Sequence, residues 1–392
     1  MLLDRKFELP HRLEKMTSFL VMDVLERAQE LERDGQEIIH MEIGEPDFKT
    51  PAKISEAGQK ALLNGHTRYT HSLGIYPLRE AIVEWYRKRY HVTIEPEQVI
   101  VTMGTSPGLL LVLSVLLNPG DEVILTNPGY ACYPNFIRYL EGVPVFVDVR
   151  ESDGFQYRTE DIRRKISEKT KAILINSPSN PTGHLLPPEE MVDISRLYIP
   201  ILADEIYHGL VYEGKEHSFL ELTPDAFVLN GFSKLFAMTG WRLGYLIVPE
   251  EYVRPIQKLQ QNFFISAPEA AQYAGVVALT EEHPEIEEMR LQYNTRRKYL
   301  IGRLKEMGFG IQVEPTGAFY VFANAKRFTR DSLGFSFELL ENARVAVAPG
   351  IDFGTNGEGY MRFSYATSLE KIEEGMDRLE KYLRTRPDPK TT

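Results

Sequence analysis

Short apolar runs recur along the first two thirds of the chain, separated by longer segments of mixed polarity. The runs are apolar at most positions rather than at alternate ones, which is typical of strands buried on both faces of a sheet. We predict six such strands, at 99–101, 122–126, 145–149, 172–176, 199–203 and 226–229. Several of the intervening segments have the length and the capping residues of helices. This alternation predicts an α/β fold with a mostly parallel sheet sandwiched by helices.

Both ends of the chain have a different pattern from its middle. Apolar residues with helical spacing predict a helix at 17–31, and an extended segment follows at 37–43. Beyond residue 248 we predict helices at 250–262, 284–307, 335–342 and 368–383, and strands at 311–313, 318–322, 345–347 and 360–365.

The change of pattern predicts two domains, which a chain of 392 residues is long enough to form. We expect a large α/β domain at 46–283. Residues 1–45 would join residues 284–392 in a smaller α+β domain. The composition of its last residues, 384–392, predicts a disordered tail.

The composition narrows the class of protein. A net charge of −11 at pH 7 argues against a nucleic-acid surface, which needs a basic face, and against anionic membranes. The chain has no apolar run long enough to span a bilayer, and its first residues lack the apolar core of a signal peptide. The single cysteine, Cys132, excludes an internal disulfide. We expect a cytoplasmic protein, and because the nine histidines show no metal-ligand spacing, we expect no metal site.

The most informative stretch follows the strand predicted at 226–229. Burial of Lys234 just beyond that strand would lower its pKa, because desolvation disfavours the charged form. A partly neutral lysine is a nucleophile for carbonyl groups and can form a Schiff base. Arg242 stays charged and can hold a phosphate through two hydrogen bonds. The stretch therefore predicts a site for a phosphorylated aldehyde, with room left by the small residues Gly231, Ser233, Ala237 and Gly240.

Other distinctive loops also follow predicted strands. Ligands of open α/β sheets bind beyond the carboxyl ends of the strands, so we expect these loops to converge with Lys234 at one edge of the sheet. The loop at 104–106 leads from a strand into a helix, an arrangement that offers backbone N–H groups to a phosphate. The loops contain Gly104-Thr105-Ser106, Tyr130, Asn180-Pro181-Thr182-Gly183 and Asp204-Glu205-Ile206-Tyr207.

The stretch around Lys234, with Gly231 three residues before it and Arg242 eight residues after it, resembles the cofactor-attachment segment of the class I/II aminotransferases. These enzymes have pyridoxal phosphate (PLP) fold type I. The Asn-Pro-Thr-Gly and Asp-Glu-Ile-Tyr motifs resemble the same family, and the resemblance extends from residue 12 to residue 383. It implies PLP as the cofactor and a sheet of the seven-stranded type in the large domain. It also implies ping-pong transfer of an amino group between an α-amino acid and a 2-oxo acid.

The resemblance implies a role for each residue that matches the family's pattern. Lys234 would carry PLP and move a proton as general base and acid, and Asp204 would keep the pyridine nitrogen protonated. Tyr207, a further catalytic residue, and Asn180 would hydrogen-bond the ring oxygen, while Tyr130 would stack on the ring. The cofactor's phosphate would be held by Gly104, Thr105, Ser106, Ser233 and Arg242.

The resemblance also implies how substrate and subunits bind. Arg362 matches the arginine that holds the α-carboxylate of the substrate, together with Asn180 and the backbone at Gly44. Tyr69 resembles the tyrosine that reaches the phosphate of the neighbouring subunit. The family pattern therefore implies a homodimer with shared active sites.

The substrate side chain is less constrained by the sequence. Aspartate-specific relatives place a second cation either where Ser106 stands or in the region 261–266, which here reads Gln-Asn-Phe-Phe-Ile-Ser. Because neither position has a cation, we expect alanine or another neutral amino acid as the donor. One alternative is an aspartate aminotransferase that recruits Arg68 or Arg12. Another is a PLP-dependent C–S lyase, which would share the fold and the site residues.

A regulator that keeps the fold without turnover is an alternative from a different class. Such regulators carry an N-terminal DNA-binding domain, whereas few residues precede Gly44 and the chain is acidic. A dehydrogenase is disfavoured because no Gly-x-Gly-x-x-Gly motif follows a strand. The motifs therefore favour an enzyme of the aminotransferase type over these alternatives.

Overall fold

The computed structural model describes residues 10–386. Its helices are α1 (His11–Glu14), α2 (Leu20–Arg33), α3 (Ala52–Leu63), α4 (Tyr76–Tyr90), α5 (Thr105–Leu116), α6 (Tyr133–Tyr139), α7 (Thr159–Arg163), α8 (Pro188–Ser195), α9 (Glu250–Phe263), α10 (Glu269–Thr280), α11 (Pro284–Met307), α12 (Ser332–Ala343) and α13 (Leu369–Thr385). Its strands are β1 (Ile39–His40), β2 (Val99–Thr102), β3 (Glu122–Asn127), β4 (Val143–Asp148), β5 (Thr170–Asn176), β6 (Ile201–Asp204), β7 (Phe227–Gly231), β8 (Gly244–Ile247), β9 (Tyr320–Asn324), β10 (Val345–Ala346), β11 (Ala348–Pro349) and β12 (Tyr360–Ser364). None of the helices in this range is both long enough and apolar enough to cross a lipid bilayer.

Seven strands form the central sheet, in the order β2-β8-β7-β6-β5-β3-β4. The pairs from β7 through β4 are parallel, and β8 alone runs against its neighbours, pairing antiparallel with both β2 and β7. The predicted α/β fold with a mostly parallel, helix-flanked sheet is confirmed. The antiparallel strand β8 was not among the strands predicted from the sequence.

The apolar runs arise because the sheet is covered on both faces. In β5, Ile173 and Ile175 belong to one hydrophobic core, whereas Ala172 and Leu174 belong to a second core on the other side. Successive side chains of a strand point to opposite faces, so both sets must be apolar when neither face meets water.

Two smaller sheets are formed by the ends of the chain. Strands β11, β12 and β9 make an antiparallel sheet, and β1 pairs in parallel with β10. The pairing of Ile39 with Val345 ties the N-terminal part of the chain to its C-terminal part. The division into domains at 46–283 and at 1–45 with 284–392 stays a prediction.

Several expected elements differ from the structure. The extended segment predicted at 37–43 contributes only the two residues of β1, because its partner β10 is itself two residues long. The strand predicted at 311–313 does not form, since only an isolated bridge joins Gly310 to Asn324. Helix α10 was not predicted.

The C-terminal helix is longer than the sequence suggests. Helix α13 continues to Thr385, so the disorder predicted from residue 384 is wrong for the first residues of that segment. An ion pair between Arg384 and Glu380, one turn apart, supports the last turn. The remainder of the predicted tail, residues 387–392, lies outside the described range.

Candidate active site

A cavity of about 450 Å³ opens at the carboxyl edge of the central sheet. Asn176 and Asp204, the last residues of β5 and β6, are direct partners in the register of the sheet. All the predicted site residues except Gly104 and Tyr69 line this cavity, namely Gly44, Thr105, Ser106, Tyr130, Asn180, Asp204, Tyr207, Ser233, Lys234, Arg242 and Arg362. The convergence expected from the loop positions is therefore present.

Lys234 follows β7 and projects into the cavity, where its Nζ donates a hydrogen bond to the Gly44 carbonyl oxygen at 2.7 Å. Burial lowers the pKa of Lys234 to about 8, and the nearby carboxylate of Glu45 opposes this shift. A side chain at position 44 would collide with the hydroxyl of Tyr320, so the loop needs glycine there. The lysine therefore loses its proton at a much lower pH than an exposed lysine would.

Asp204 presents its carboxylate to the same cavity. Its Oδ2 accepts a hydrogen bond from the Tyr133 hydroxyl at 2.7 Å, and its Oδ1 accepts one from the Ile206 backbone N–H at 3.1 Å. Burial raises the pKa of Asp204 to about 6, and both hydrogen bonds oppose that rise. Each carboxylate oxygen retains a lone pair, so the group can still accept a hydrogen bond from a protonated ring nitrogen.

Arg362 lies on β12 and is almost fully buried at one wall of the cavity. Its Nη1 donates to Asn180 Oδ1 at 2.9 Å, and its Nη2 donates to the Glu42 carbonyl oxygen. The guanidinium carbon lies 4.5 Å from the Tyr320 ring centre and 4.8 Å from that of Phe353. Within the described residues Nε has no hydrogen-bond acceptor, and both Nη atoms donate to amide oxygens rather than to carboxylates. A buried arginine of this kind suits an incoming carboxylate.

Asn176 links two of the predicted contacts, although sequence reasoning did not single it out. Its side-chain NH₂ donates to the Asp204 carbonyl oxygen at 3.0 Å, and its side-chain oxygen accepts from the Asn180 backbone N–H at 2.7 Å. The Tyr207 hydroxyl lies 2.9 Å from the Tyr320 hydroxyl. These bonds fix the relative positions of the polar groups that surround the cavity.

The opposite end of the cavity has the features of an anion site. Helix α5 begins at Thr105 after Gly104, whose φ is 100°, and its first N–H groups have no helical acceptors. Arg242 reaches this helix end. Its Nη2 lies so close to Gly104 that a Cβ atom added there would be only 2.9 Å away. Hydroxyl groups are supplied nearby by Thr105, Ser106 and Ser233. A guanidinium, hydroxyls and a helix N-terminus fit a phosphate group, as PLP requires.

Tyr69 is the predicted site residue that lies away from the cavity of its own chain. Its side chain is 80% exposed. Its expected contact with the phosphate of a neighbouring subunit stays a prediction.

The rest of the cavity wall is mostly apolar or aromatic and was not predicted. The N-terminal segment and the first turn of α2 contribute Phe19, Val21 and Met22, and the loop after β1 contributes Ile43. Their sequence pattern indicates only a helix and an extended segment, because a residue that faces a ligand and one that faces the core look alike in sequence.

Comparisons with known proteins agree with this geometry. The family model for aminotransferase class I and II matches residues 36–379. The (5-formylfuran-3-yl)methyl phosphate transaminase of Methanocaldococcus jannaschii is 46% identical over 96% of this chain and 99% of that protein. The aspartate aminotransferase of Pyrococcus horikoshii is 43% identical over 97% of this chain and 98% of that protein.

A crystal structure from Methanococcus jannaschii, whose active site is described as similar to those of kynurenine aminotransferases, superposes with a TM-score of 0.90. It is 45% identical and covers 96% of this chain and 100% of its own. The family model and these relatives all match nearly the whole of the chain. The chain belongs to the class I and II aminotransferases, and it is an aminotransferase.

Proposed function

We propose that the enzyme uses PLP to transfer the amino group of an α-amino acid to a 2-oxo acid in a ping-pong reaction. The observation that carries this proposal is the meeting of Lys234, Asp204 and Arg362 around one cavity with an anion site at its far end. When bound, PLP supplies an electron sink that stabilises negative charge at the substrate's Cα.

Each of these residues has a task that its surroundings support. Lys234, with a pKa of about 8, can be neutral and take a proton from the substrate's Cα at its Nζ, then return it at the cofactor's C4′ position. Asp204 holds a proton on the ring nitrogen through a charge-assisted hydrogen bond. Asn180 and Tyr207 orient the ring oxygen, and Tyr130 covers the ring.

Arg362 is proposed to bind the α-carboxylate of the substrate. Its unpaired Nε and its buried position favour a bidentate contact that excludes water. The Gly44 backbone lies beside the same part of the cavity. A carboxylate bound in this way would leave the substrate's Cα within reach of Lys234.

For the substrate side chain we propose a neutral group, either alanine or a larger apolar or aromatic residue. Among the described residues that line the cavity, the cations are Lys234, Arg242 and Arg362, and each already has a role. A second carboxylate would lose its hydration without gaining a charge partner. The apolar wall formed by Phe19 and Ile43 supports the same preference.

Aspartate transamination is the second candidate, because a relative of that name is 43% identical over nearly the whole chain. The other relative is named for a phosphorylated aldehyde, (5-formylfuran-3-yl)methyl phosphate. An aldehyde of this kind should therefore also be tested as the acceptor of the amino group. A C–S lyase on the same fold would differ only in its products.

We further propose a cytoplasmic homodimer in which each subunit completes the site of the other. Tyr69 and Phe263 are 80% and 59% exposed. The loop of Tyr69 neighbours the segment that follows α9, which ends at Phe263, because the Thr70 backbone N–H donates to Ser266 Oγ at 3.2 Å. Exposed aromatic side chains on neighbouring segments are typical of a surface covered by a partner.

The decisive experiment has two parts. Borohydride reduction of the PLP-loaded enzyme, followed by peptide mapping, should place the label on Lys234 and leave a Lys234→Ala variant unlabelled. Single-turnover measurements should then compare alanine, phenylalanine, glutamate and aspartate as donors, with product analysis to detect elimination. Label on another lysine would overturn the site, and an aspartate preference of about a hundredfold, or roughly 2.7 kcal/mol, would overturn the neutral side chain.

A further inference from the structure

Strand β6, which ends with Asp204, and strand β7, which leads to Lys234, separate at the edge of the cavity. The register of β6 and β7 ends with the pair Asp204 and Leu229, and one more backbone hydrogen bond, from Glu205 N–H to the Leu229 carbonyl, follows at 2.8 Å. Beyond that point Gly231 pairs only with β8. The backbone ladder therefore stops before the segment that leads to the lysine begins.

A chain of buried side chains connects the two segments beyond the last ladder bond. The Tyr86 hydroxyl donates to Glu205 Oε2 at 3.0 Å, and Asn230 Nδ2 donates to the Tyr86 hydroxyl at 3.1 Å. Asn230 Oδ1 accepts from the Gly231 backbone N–H at 2.7 Å. Tyr86, Glu205 and Asn230 are all buried, and none of them lines the active-site cavity.

The carboxylate at the start of this chain is itself firmly held. Glu205 Oε1 accepts from Ser218 Oγ at 2.7 Å and from the Phe219 backbone N–H at 3.2 Å. Tyr86 is fully buried and packs against the ring of Tyr245 on β8, with ring centres 6.2 Å apart. Buried networks in which each member has a partner are rigid, because breaking one bond leaves a buried polar group with neither a protein partner nor water to bond to.

We propose that Glu205 is a positioning residue that, through Tyr86 and Asn230, fixes the segment of Lys234 relative to the carboxylate of Asp204. The proposal rests on the proposed function, since it concerns the spacing between the anchor lysine and the ring-nitrogen carboxylate. Glu205 is next to Asp204 in the chain, and Gly231 is three residues before Lys234. A small shift at either end of the network moves one of the two groups relative to a bound ring.

The functional consequence is geometric. When PLP is bound, Lys234 would have to reach the substrate's Cα while Asp204 holds the ring nitrogen, so the spacing between these two side chains would affect the rate. Displacements of about 1 Å at such a site cost roughly a hundredfold in rate. Loss of one bond of the network should shift the lysine less than that, so we expect an effect of about tenfold.

The test compares two buried phenols. Tyr86→Phe removes the central hydroxyl of the network, whereas Tyr157→Phe removes a hydroxyl that donates to the Leu174 carbonyl oxygen at 2.8 Å outside it. Burial raises the pKa of Glu205 to about 8, so the half-reaction rates are compared above that pH, where its carboxylate can accept all its hydrogen bonds. Tyr86→Phe removes two buried hydrogen bonds and Tyr157→Phe removes one, so both should lower the thermal stability, Tyr86→Phe by more.

Only Tyr86→Phe should slow the first half-reaction, by about tenfold, and shift the pH midpoint of the absorbance band of the lysine-bound cofactor. Glu205→Gln should do the same, and the double variant should be no slower than the slower single variant, because both changes break one network. Equal half-reaction rates and equal spectral midpoints for Tyr86→Phe and Tyr157→Phe would overturn the inference. If the unmodified enzyme itself fails to bind PLP on Lys234 or to transaminate, the proposed function fails instead.

Discussion

The hydroxyl of Tyr133 donates a hydrogen bond to Oδ2 of Asp204 at 2.7 Å, and both side chains are buried. The bond favours the ionised carboxylate, whereas desolvation disfavours it, and desolvation is the larger effect. Tyr133 begins α6, which follows β3 in the chain, and it precedes Asp204 by 71 residues. The charge proposed to hold the ring nitrogen thus depends on a residue remote in sequence.

Removal of this hydroxyl should raise the pKa of Asp204 further above its value of about 6. Protonation removes the charge of the carboxylate. As the pH is lowered, the rate should therefore begin to fall at a higher pH in Tyr133→Phe than in the unmodified enzyme. We expect the acid limb of the pH profile of kcat/KM to move upward, with little change well above it. Tyr157→Phe, which lacks contact with Asp204, is the control, and an unmoved acid limb in Tyr133→Phe would contradict the assignment.

Lys234 should destabilise the cofactor-free protein. Its pKa falls from 10.5 to about 8 on folding, so its contribution to stability is most favourable above pH 10.5 and is lost as the pH falls through 10.5 to 8. Lys234→Met should therefore raise the free energy of unfolding near neutral pH by about 3 kcal/mol. Denaturant titration of the cofactor-free proteins measures this, and the gain should shrink as the pH is raised through that window. A gain independent of pH would point to packing instead.

Replacement of Asp204 should separate cofactor binding from turnover. We expect Asp204→Asn to keep a reducible cofactor on Lys234 but to lose transamination by about 10³-fold, as for loss of a preorganised charge. Asp148→Asn is a matched control, because Asp148 ends β4 and accepts a hydrogen bond from Asn127 Nδ2 at 3.0 Å without lining the cavity. Near-native single-turnover rates in Asp204→Asn would move the role to another residue.

Arg362→Lys should weaken substrate binding even though the charge is kept. A lysine cannot form the bidentate contact or lie flat between the rings of Tyr320 and Phe353. We expect kcat/KM to fall by about 10²-fold for every amino acid, through KM more than through kcat. Arg386→Lys provides the comparison, since Arg386 pairs with Glu338 and lies 4.8 Å from the Phe335 ring centre, away from the cavity. Equal effects of the two substitutions would argue against a carboxylate site at Arg362.

Hybrid dimers should reveal whether Tyr69 acts across the interface. In a hybrid of Lys234→Ala and Tyr69→Phe subunits, the site that keeps its lysine would receive an intact Tyr69 from the other subunit. We expect that site to bind PLP and turn over as in the unmodified enzyme, giving about half its activity per dimer. Purified hybrids carrying two different tags allow the measurement. Activity no better than that of the Tyr69→Phe homodimer would mean that Tyr69 serves its own chain.

Sequence reasoning predicted the parts of the site that carry a chemical signature. Lys234 and Asp204 are charged residues beside apolar strands, and such a pattern needs an explanation. Asn176 and Tyr133 were missed because each resembles an ordinary residue at the end or beginning of an element. Their importance comes from partners on other strands, which linear spacing does not contain.

The predicted and the missed secondary-structure elements differ in the same way. Strands such as β5 were predicted because both of their faces are buried, which leaves an unbroken apolar run. Helix α10 was missed, although it packs against α3 and α4, because its small and β-branched residues give no clear helical spacing. The strand expected at 311–313 fails because Val313 is 41% exposed and lacks a neighbouring strand.

The pairing of Gly231 with Gly244 makes the intervening chain a closed loop that leaves the sheet and returns at one place. Lys234 lies three residues after Gly231 and Arg242 lies two residues before Gly244, so the paired strand ends set the distance between the lysine and the proposed phosphate contact. The loop is thus clamped at both ends, and its middle is packed into the core through the buried side chains of Leu235, Phe236 and Met238. An inserted residue there would have to displace these side chains, so we expect it to lower stability before it changes the spacing of the two ends.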